Sequence, residues 1–368
     1  MRVGVEAALV RGEFVPGDVE VDDGRVVAVG LAGGQRGRFA IPGFVDLQVN
    51  GYGGVDFLSA STEEYQSAGE ALLSAGVTAY QPTFITSAEA TTVEALRALP
   101  TGGSGPRVIG AHLEGPFLSP DRPGTHPLRH LQAPRVELLD RLLDAGNVTQ
   151  MTLAPELPGA DALVARLRER GVAVSAGHTN ATAAEAHHAF DLGVGGVTHV
   201  FNAMRPFRSR DPGIAGAALT RSGVVIAMVV DGHHLADETV RLVWACAAGR
   251  VALVTDAMAA AGTGGNGGTY LLGDVEVAVE NGAAPMREDG TLAGTVLTMI
   301  DAVRNLHALG VPFEQAVGAA TEVPARVLGR DDVGVLEPGA SADIVVLDDR
   351  LEIQAVLCSG WSDVVARG

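Results

Sequence analysis

Residues 171–201 read GVAVSAGHTNATAAEAHHAFDLGVGGVTHVF. Two short apolar runs, GVAVSAGH and GGVTHVF, flank a stretch, AEAHHAF, with helical character. The first run ends on His178 and the second carries His199 at the matching place. Strand, helix and strand in that order make the βαβ unit of a parallel sheet. The alternation continues on both sides. Upstream stand GFVDLQV (43–49), GVTAYQP (76–82), RVIGAHLEG (107–115) and NVTQMTLAP (147–155); downstream stand VVIAMVVDG (224–232) and RVALVTD (250–256). Their continuous Val, Ile, Leu and Ala content suits parallel strands buried on both faces. The intervening RVELLDRLLDAG, DALVARLRERG and ADETVRLVWACAAG place apolar residues at helical spacing and end in Gly. Eight such units predict an α/β fold, a (β/α)8 TIM-like barrel.

The two ends of the chain differ from its middle. VEAALV, DVEV and RVVAVG near the start are strand-like and are split by Pro16-Gly17 and Asp23-Gly24. GVLEPGASADIVVLDD and EIQAVLCSG near the end have the same character. The simplest arrangement is a small β-sandwich module made by both termini, residues 1–41 and 334–368, around a barrel of residues 42–333. After the eighth run, the Gly-rich residues 265–293 look like a β-hairpin excursion. TVLTMIDAVRNLHALG and FEQAVGAATEVPARVLG then return to helix.

Composition narrows the class. Of 368 residues, 47% are hydrophobic and 19% charged, which describes a soluble globular chain with a large core. Cys246 and Cys358 are the only cysteines, far apart and outside any metal-ligand spacing, so a reducing compartment is expected and a disulfide framework is not. The start lacks a signal-type apolar region, and no stretch reaches the ~20 apolar residues of a membrane span. A cytoplasmic location is the expectation. A net charge of -18 argues against nucleic acid or anionic membranes as partners. A phosphate ester bound by such a chain would need its cations gathered locally.

The polar residues able to do chemistry fall at the C-terminal ends of the runs, the face where barrels of this kind build their sites. Glu114 ends the third run, His178 the fifth and His199 the sixth. Asp231, with His233 and His234, follows the seventh, and Asp256 ends the eighth. Two imidazoles and a carboxylate leave one position of a tetrahedral metal open for water, as in catalytic zinc sites. Asp256 could take a proton from that water and pass it to a leaving amine. Each residue alone has a plainer reading. A strand-end histidine is usually structural, a strand-end Asp often caps the next helix, and Glu114 could pair with an arginine. Four of them on one face is what those readings do not explain. His187 and His188, on the AEAHHAF helix, read as surface or packing residues, and His130 and His307 have no supporting context. Gly53-Gly54 and the glycines of 262–268 are too irregular for a nucleotide loop.

The ordered segments PGFVDLQVNGYGG, HLEGPF followed by GTH, LAPE, SAGHTNA, THVFNAM, DGHH, LVTDAM and LAGTVLTM carry a resemblance over nearly the whole chain. The sequence resembles the N-acetylglucosamine-6-phosphate deacetylases of the amidohydrolase superfamily. The resemblance implies hydrolysis of N-acetylglucosamine 6-phosphate to glucosamine 6-phosphate and acetate. It implies Glu114, His178 and His199 as ligands of one divalent metal per subunit, with Zn2+ expected and Fe2+, Co2+ and Mn2+ as competitors. Asp256 would be general base and then acid, and His126 would polarise the acetamide carbonyl. Thr125, Asn202, Ala203, Leu292, Ala293 and Gly294 would line the sugar site. Arg210 and His234 would bind the 6-phosphate, with Asp231 in the same substrate-binding group. A homodimer is implied, in which phosphate contacts can come from the neighbouring subunit.

One departure concerns the end of the first run. Many superfamily members carry His-x-His there for a second metal, whereas this chain has Gln48-Val49-Asn50. Neutral amides are poor metal ligands beside imidazole, so one metal is expected and Gln48 is left to orient the water. Arg205 adds a cation near the phosphate end without an assigned role. The galactosamine isomer is the close alternative substrate. A cyclic amide is a more distant one, and a bridging lysine is impossible because all 26 basic residues are arginine. A barrel that has lost its chemistry would be the alternative outside enzymes; joint retention of Glu114, His126, His178, His199 and Asp256 argues against it.

Overall fold

The computed structural model describes all residues except 103–104, 265–266, 281–284 and 359–368. Eight parallel strands lie side by side in chain order: β1 (Phe44–Val49), β2 (Val77–Ile85), β3 (Ala111–Glu114), β4 (Val148–Leu153), β5 (Ala173–Ala176), β6 (Gly196–Val197), β7 (Val225–Met228) and β8 (Val251–Leu253). Closure of β8 on β1 is made at the C-terminal rim. There Val49 bridges Ala257, Asp256 N–H donates to Gln48 O at 2.9 Å, and Asn50 N–H donates to Ala257 O at 2.7 Å. The (β/α)8 barrel expected from the sequence is therefore the observed fold. Every residue of β1 and β2 is buried, as the continuous apolar runs require. The outer helices bury one stripe each: the helix after β3, Val136–Ala145, covers the barrel with Leu138, Leu139, Leu142 and Leu143.

The strands are shorter than the apolar runs. RVIGAHLEG divides into a two-residue piece, Arg107–Val108, and β3, because Gly110 between them has φ 135°. A side chain there would meet Thr149 Oγ1 at 2.5 Å. Strands β5, β6 and β8 stop two or three residues before His178, His199 and Asp256. These residues sit on the loops leaving the strands and not on the strands themselves.

Both termini contribute to a second β layer system. A five-stranded sheet has the order Glu13–Pro16, Ala7–Val10, Arg38–Pro42, Ile344–Asp348, Ile353–Leu357. A hairpin, Asp18–Asp22 with Arg25–Leu31, packs across it through Val19, Val21 and Val26 against Ala8, Ala40, Ile344 and Val346. Its tight turn, Asp23-Gly24, has φ of 45° and 68°, the left-handed pair that a two-residue hairpin turn needs. The last part of the expected module, 359–368, lies outside the described residues, as do 265–266 and 281–284 of the expected excursion. The rest of that excursion is a hairpin, Gly268–Leu272 with Val275–Val279. Leu272, Val277 and Val279 pack with Ile85, Met258, Ala260 and Ala293 in a separate apolar cluster beside the rim. Among the described residues no helix is long and apolar enough to cross a membrane.

Candidate active site

Three strand exits bend through left-handed backbone: φ is 47° at His178, 29° at His199 and 49° at Asp256. Non-glycine residues rarely adopt this conformation, and away from tight turns such backbone clusters at functional sites. Each bend comes two or three residues after its strand, where the chain turns at the barrel mouth. Glu114 reaches the same volume from the last position of β3. His178 Nε2 and His199 Nε2 stand 3.1 and 3.0 Å from Glu114 Oε1, and 3.0 Å from each other. All three side chains are buried.

Two imidazole nitrogens facing each other at this range, with a carboxylate oxygen between them, fit a divalent metal. Ligands about 2.0–2.1 Å from a tetrahedral ion lie about 3.3 Å apart. His178 Nδ1 faces Arg122 O at 3.2 Å, which leaves its Nε2 lone pair for the cluster. Gly124 lets that loop pass close: with φ 54°, a side chain there would meet His178 Cε1 at 2.9 Å. Among the described residues this is the one cluster of three or more His, Cys, Asp or Glu able to hold a metal.

The other chemical groups surround it. His126 Nε2 stands 3.7 Å from Glu114 Oε2, and its ring lies edge-on to His178 with centroids 4.2 Å apart. Thr86 N–H donates to His126 Nδ1 at 3.2 Å. In the neutral ring the proton must then sit on Nε2, the nitrogen facing the cluster. Burial and the neighbouring His178 hold His126 well below its ordinary pKa, so the ring is neutral. Asp256 Oδ1 accepts from Asn50 Nδ2 at 2.7 Å and from Gln48 Nε2 at 3.1 Å; the same Gln48 amide is 3.3 Å from Glu114 Oε1. Burial, with the charge of Glu114, pushes Asp256 up to about 6. Burial pulls His199 down, but its hydrogen bond to Glu114 and the charges of Glu114 and Asp256 outweigh that and raise it to about 9.

The residues expected around the sugar and phosphate are less uniform. Thr125 is buried beside His126, with no hydrogen-bond partner for Oγ1 among the described residues. Asn202 Nδ2 faces the carbonyls of His199 and Val200, both at 3.3 Å, and Ala203 O accepts from Thr179 N–H. Leu292, Ala293 and Gly294 lead into Thr295, whose N–H donates to Asp256 O at 2.9 Å. Asp231 accepts from the N–H groups of His233 and His234 and pairs with His234 Nδ1 at 2.7 Å. Its carboxylate is therefore occupied in orienting His234, whose Nε2 makes no hydrogen bond among the described residues. Arg210 lies on the exposed loop after β6 with no hydrogen bond or ion pair among the described residues. Arg205 is not a free cation: it grips Asp211 at 2.7–2.9 Å and staples that loop.

Asp46 and His112 escaped the sequence reading, and Asn50, read there only as a missing metal ligand, was given no role. Asp46 accepts from Thr255 Oγ1 at 2.6 Å and from the N–H groups of Gln48 and Thr255, and burial pushes it up to about 7. Asn50 contacts Asp256 as described. His112 lies inside the barrel between Thr83 Oγ1 at 3.2 Å and Thr152 Oγ1 at 2.8 Å. Their signal was alternation. Residues 46, 48 and 50, and 112 and 114, share one face of their strands. The remaining histidines lie elsewhere: His187 and His188 are exposed, His130 pairs with Asp274, and His307 Nδ1 faces Val311 O.

Residues 39–365 match the amidohydrolase family. Among curated relatives, the human N-acetylglucosamine-6-phosphate deacetylase is 38% identical over 352 residues, covering 90% of this chain and 85% of the relative. An N-acetylgalactosamine-6-phosphate deacetylase of Escherichia coli O157:H7 is 35% identical, covering 87% and 86%. Among solved structures, a mutant N-acetyl-D-glucosamine-6-phosphate deacetylase of Mycobacterium smegmatis in complex with N-acetyl-D-glucosamine-6-phosphate superposes with a TM-score of 0.91. It is 35% identical and covers 98% of each chain. The Thermotoga maritima N-acetylglucosamine-6-phosphate deacetylase gives 0.89 at 32% identity, again covering 98% of each chain.

Proposed function

Since the chain belongs to the amidohydrolase family, we propose that it hydrolyses the acetamide of N-acetyl-D-glucosamine 6-phosphate, giving acetate and D-glucosamine 6-phosphate. The observation that carries this reading is the meeting of Glu114, His178 and His199 beside a neutral His126 and a buried Asp256. Glu114, His178 and His199 would hold one divalent metal. Zn2+ suits the two nitrogens and one oxygen best, and Fe2+, Co2+ and Mn2+ compete by availability. Bound there, the ion supplies Lewis acidity to the carbonyl and lowers the pKa of a water. No second metal is assigned, because Gln48 and Asn50 stand where a second pair of imidazoles would.

His126 Nε2–H is a donor fixed in advance, because Thr86 occupies the other ring nitrogen. It is aimed to hydrogen-bond the carbonyl oxygen as charge develops there. Gln48, reaching both Glu114 and Asp256, orients the attacking water. Asp256 takes a proton from that water and returns it to the sugar nitrogen as the C–N bond breaks. Thr125, Asn202, Ala203 and Leu292–Gly294 would line the sugar. His234, held by Asp231, and Arg210 would bind the phosphate, two of whose oxygens suit the planar fork of an arginine. An exposed Arg210 fits a homodimer in which it serves the neighbouring subunit. We assign residues 1–41 and 334–368 to the small module, the rest to the barrel, and the protein to the cytoplasm, since Cys246 and Cys358 form no disulfide.

The galacto isomer is the second reading, favoured by the similarity to the E. coli O157:H7 protein. Acetate release from N-acetylglucosamine 6-phosphate, its galactosamine isomer and unphosphorylated N-acetylglucosamine, by zinc-supplemented protein, tests both. Release that needs the phosphate and prefers the gluco isomer is expected. No release from any of the three would end the deacetylase reading.

A further inference from the structure

Asn50 stands one residue beyond β1 and is only 2% exposed. Its backbone is fixed by the barrel seam, its N–H donating to Ala257 O at 2.7 Å while Asp256 N–H donates to Gln48 O at 2.9 Å. That parallel pairing sets the side chains of Asn50 and Asp256 face to face. The result is the shortest side-chain bond to the carboxylate, Nδ2 to Oδ1 at 2.7 Å. Gln48 adds a second donor to the same oxygen at 3.1 Å, but its amide is divided with Glu114. Oδ2 carries no hydrogen bond among the described residues and is not one of the solvent-sealed polar atoms.

We propose that Asn50 is a positioning residue for the hydrolysis: by holding Oδ1 of Asp256, it makes Oδ2 the oxygen that takes and returns the proton. This assignment rests on the reading of Asp256 as base and acid. The amide cannot serve equally in the flipped orientation, because its oxygen would then oppose a carboxylate oxygen. Its own Oδ1 is buried without a hydrogen-bond partner among the described residues. Among the described residues the side chain therefore makes one hydrogen bond, and that bond is to Asp256. A buried amide with an unpaired oxygen weakens a fold. Its presence is understandable through what it does to the carboxylate, since the seam itself is held by backbone atoms. Two donors on one oxygen also fix the soft torsion of the carboxylate, which is otherwise broad. The proton then travels over one short path, from water to Oδ2 to nitrogen.

The test uses metal-loaded enzyme with N-acetylglucosamine 6-phosphate. Asn50→Ala removes the donor. Asn50→Asp keeps the shape but replaces the donor with a second carboxylate. Both are expected to lose about 10- to 100-fold in kcat, the usual worth of a hydrogen bond to a charged group. KM stays within about twofold, metal per chain is unchanged, and the melting temperature moves by only a few degrees. A role confined to the fold would instead lower stability and metal content together and leave kcat per metal-loaded chain intact. That pattern, or Asn50→Ala with more than half the wild-type kcat, overturns the assignment while the deacetylase reading stands. A wild-type enzyme that releases no acetate overturns that reading, and the assignment with it.

Discussion

With His199 as a metal ligand, as proposed, the ion and a proton would compete for its ring. In the folded, metal-free site burial opposes the charged imidazole. The hydrogen bond to Glu114 at 3.0 Å and the charges of Glu114 and Asp256 outweigh it, raising His199 to about 9. A metal ligand must be the neutral ring. At pH 7 only about one molecule in a hundred then offers it. The apparent affinity for Zn2+ is therefore expected to rise about tenfold per pH unit between 7 and 9, and to level off above. Near pH 7 each ion bound should release about one proton. Stability follows the same sign. The folded pKa lies above the ordinary value of 6.5, so the contribution of His199 to the metal-free fold is complete below about 6.5. It is lost as pH rises through about 9. The shift is worth at most about 3 kcal/mol. The metal-loaded protein lacks this loss because its ring is already neutral. Zinc titrations against a competing indicator from pH 6.5 to 9.5, and calorimetry in two buffers of different protonation enthalpy, measure both quantities. An affinity flat between pH 7 and 8.5, with no proton released, would refute the coupling between Glu114 and His199.

Other variants separate the roles. Asp256→Asn is expected to cut kcat by about 10³-fold or more, the scale of a lost general base, while one metal per chain remains by elemental analysis. Turnover above a tenth of wild type would remove Asp256 from the mechanism. His126→Ala should lower kcat by about 10²–10³-fold. It also leaves buried Thr86 N–H without its acceptor, costing about 1–3 kcal/mol in denaturant unfolding. An unchanged kcat would contradict the donor role. Arg210→Ala should raise KM for the phosphorylated sugar by roughly tenfold or more with kcat kept, because a remote ion pair is uniform binding. The unphosphorylated sugar should respond equally poorly with either protein; a matching rise in its KM would take Arg210 off the phosphate.

The alternation of apolar runs was enough to read the barrel, because parallel strands buried on both faces leave a long, continuous signature in Val, Ile and Leu. It was not enough to read where strands end. GGVTHVF looks like seven residues of strand, and β6 is Gly196–Val197. Two residues beyond it His199 takes a φ of 29°, outside the extended region of a strand. Nothing in the composition of THVF announces a left-handed residue, since glycine or asparagine would be the usual marker. Similarly, the third run was interrupted at Gly110, where the signal was present but a glycine within an apolar run also suits a buried strand.

At the site, legibility followed charge and spacing. Glu114, His178, His199 and Asp256 were visible because a carboxylate or imidazole at the end of an apolar run stands out against its neighbours. Asp46, Asn50 and His112 lie inside such runs or just beyond them, two positions from a residue that did stand out. Asp46 and His112 carry no end-of-run signal, and the amide of Asn50 announces only a missing ligand. The inner face of a barrel strand continues downward from that end, and each step of two carries another side chain into the same interior. A barrel that holds a polar site at its mouth must satisfy the polar groups beneath it. Asp46 does so by bonding Thr255 and the backbone of Gln48, and His112 by bonding Thr83 and Thr152. The support beneath the chemistry thus follows from the same period-two rule that locates the chemistry.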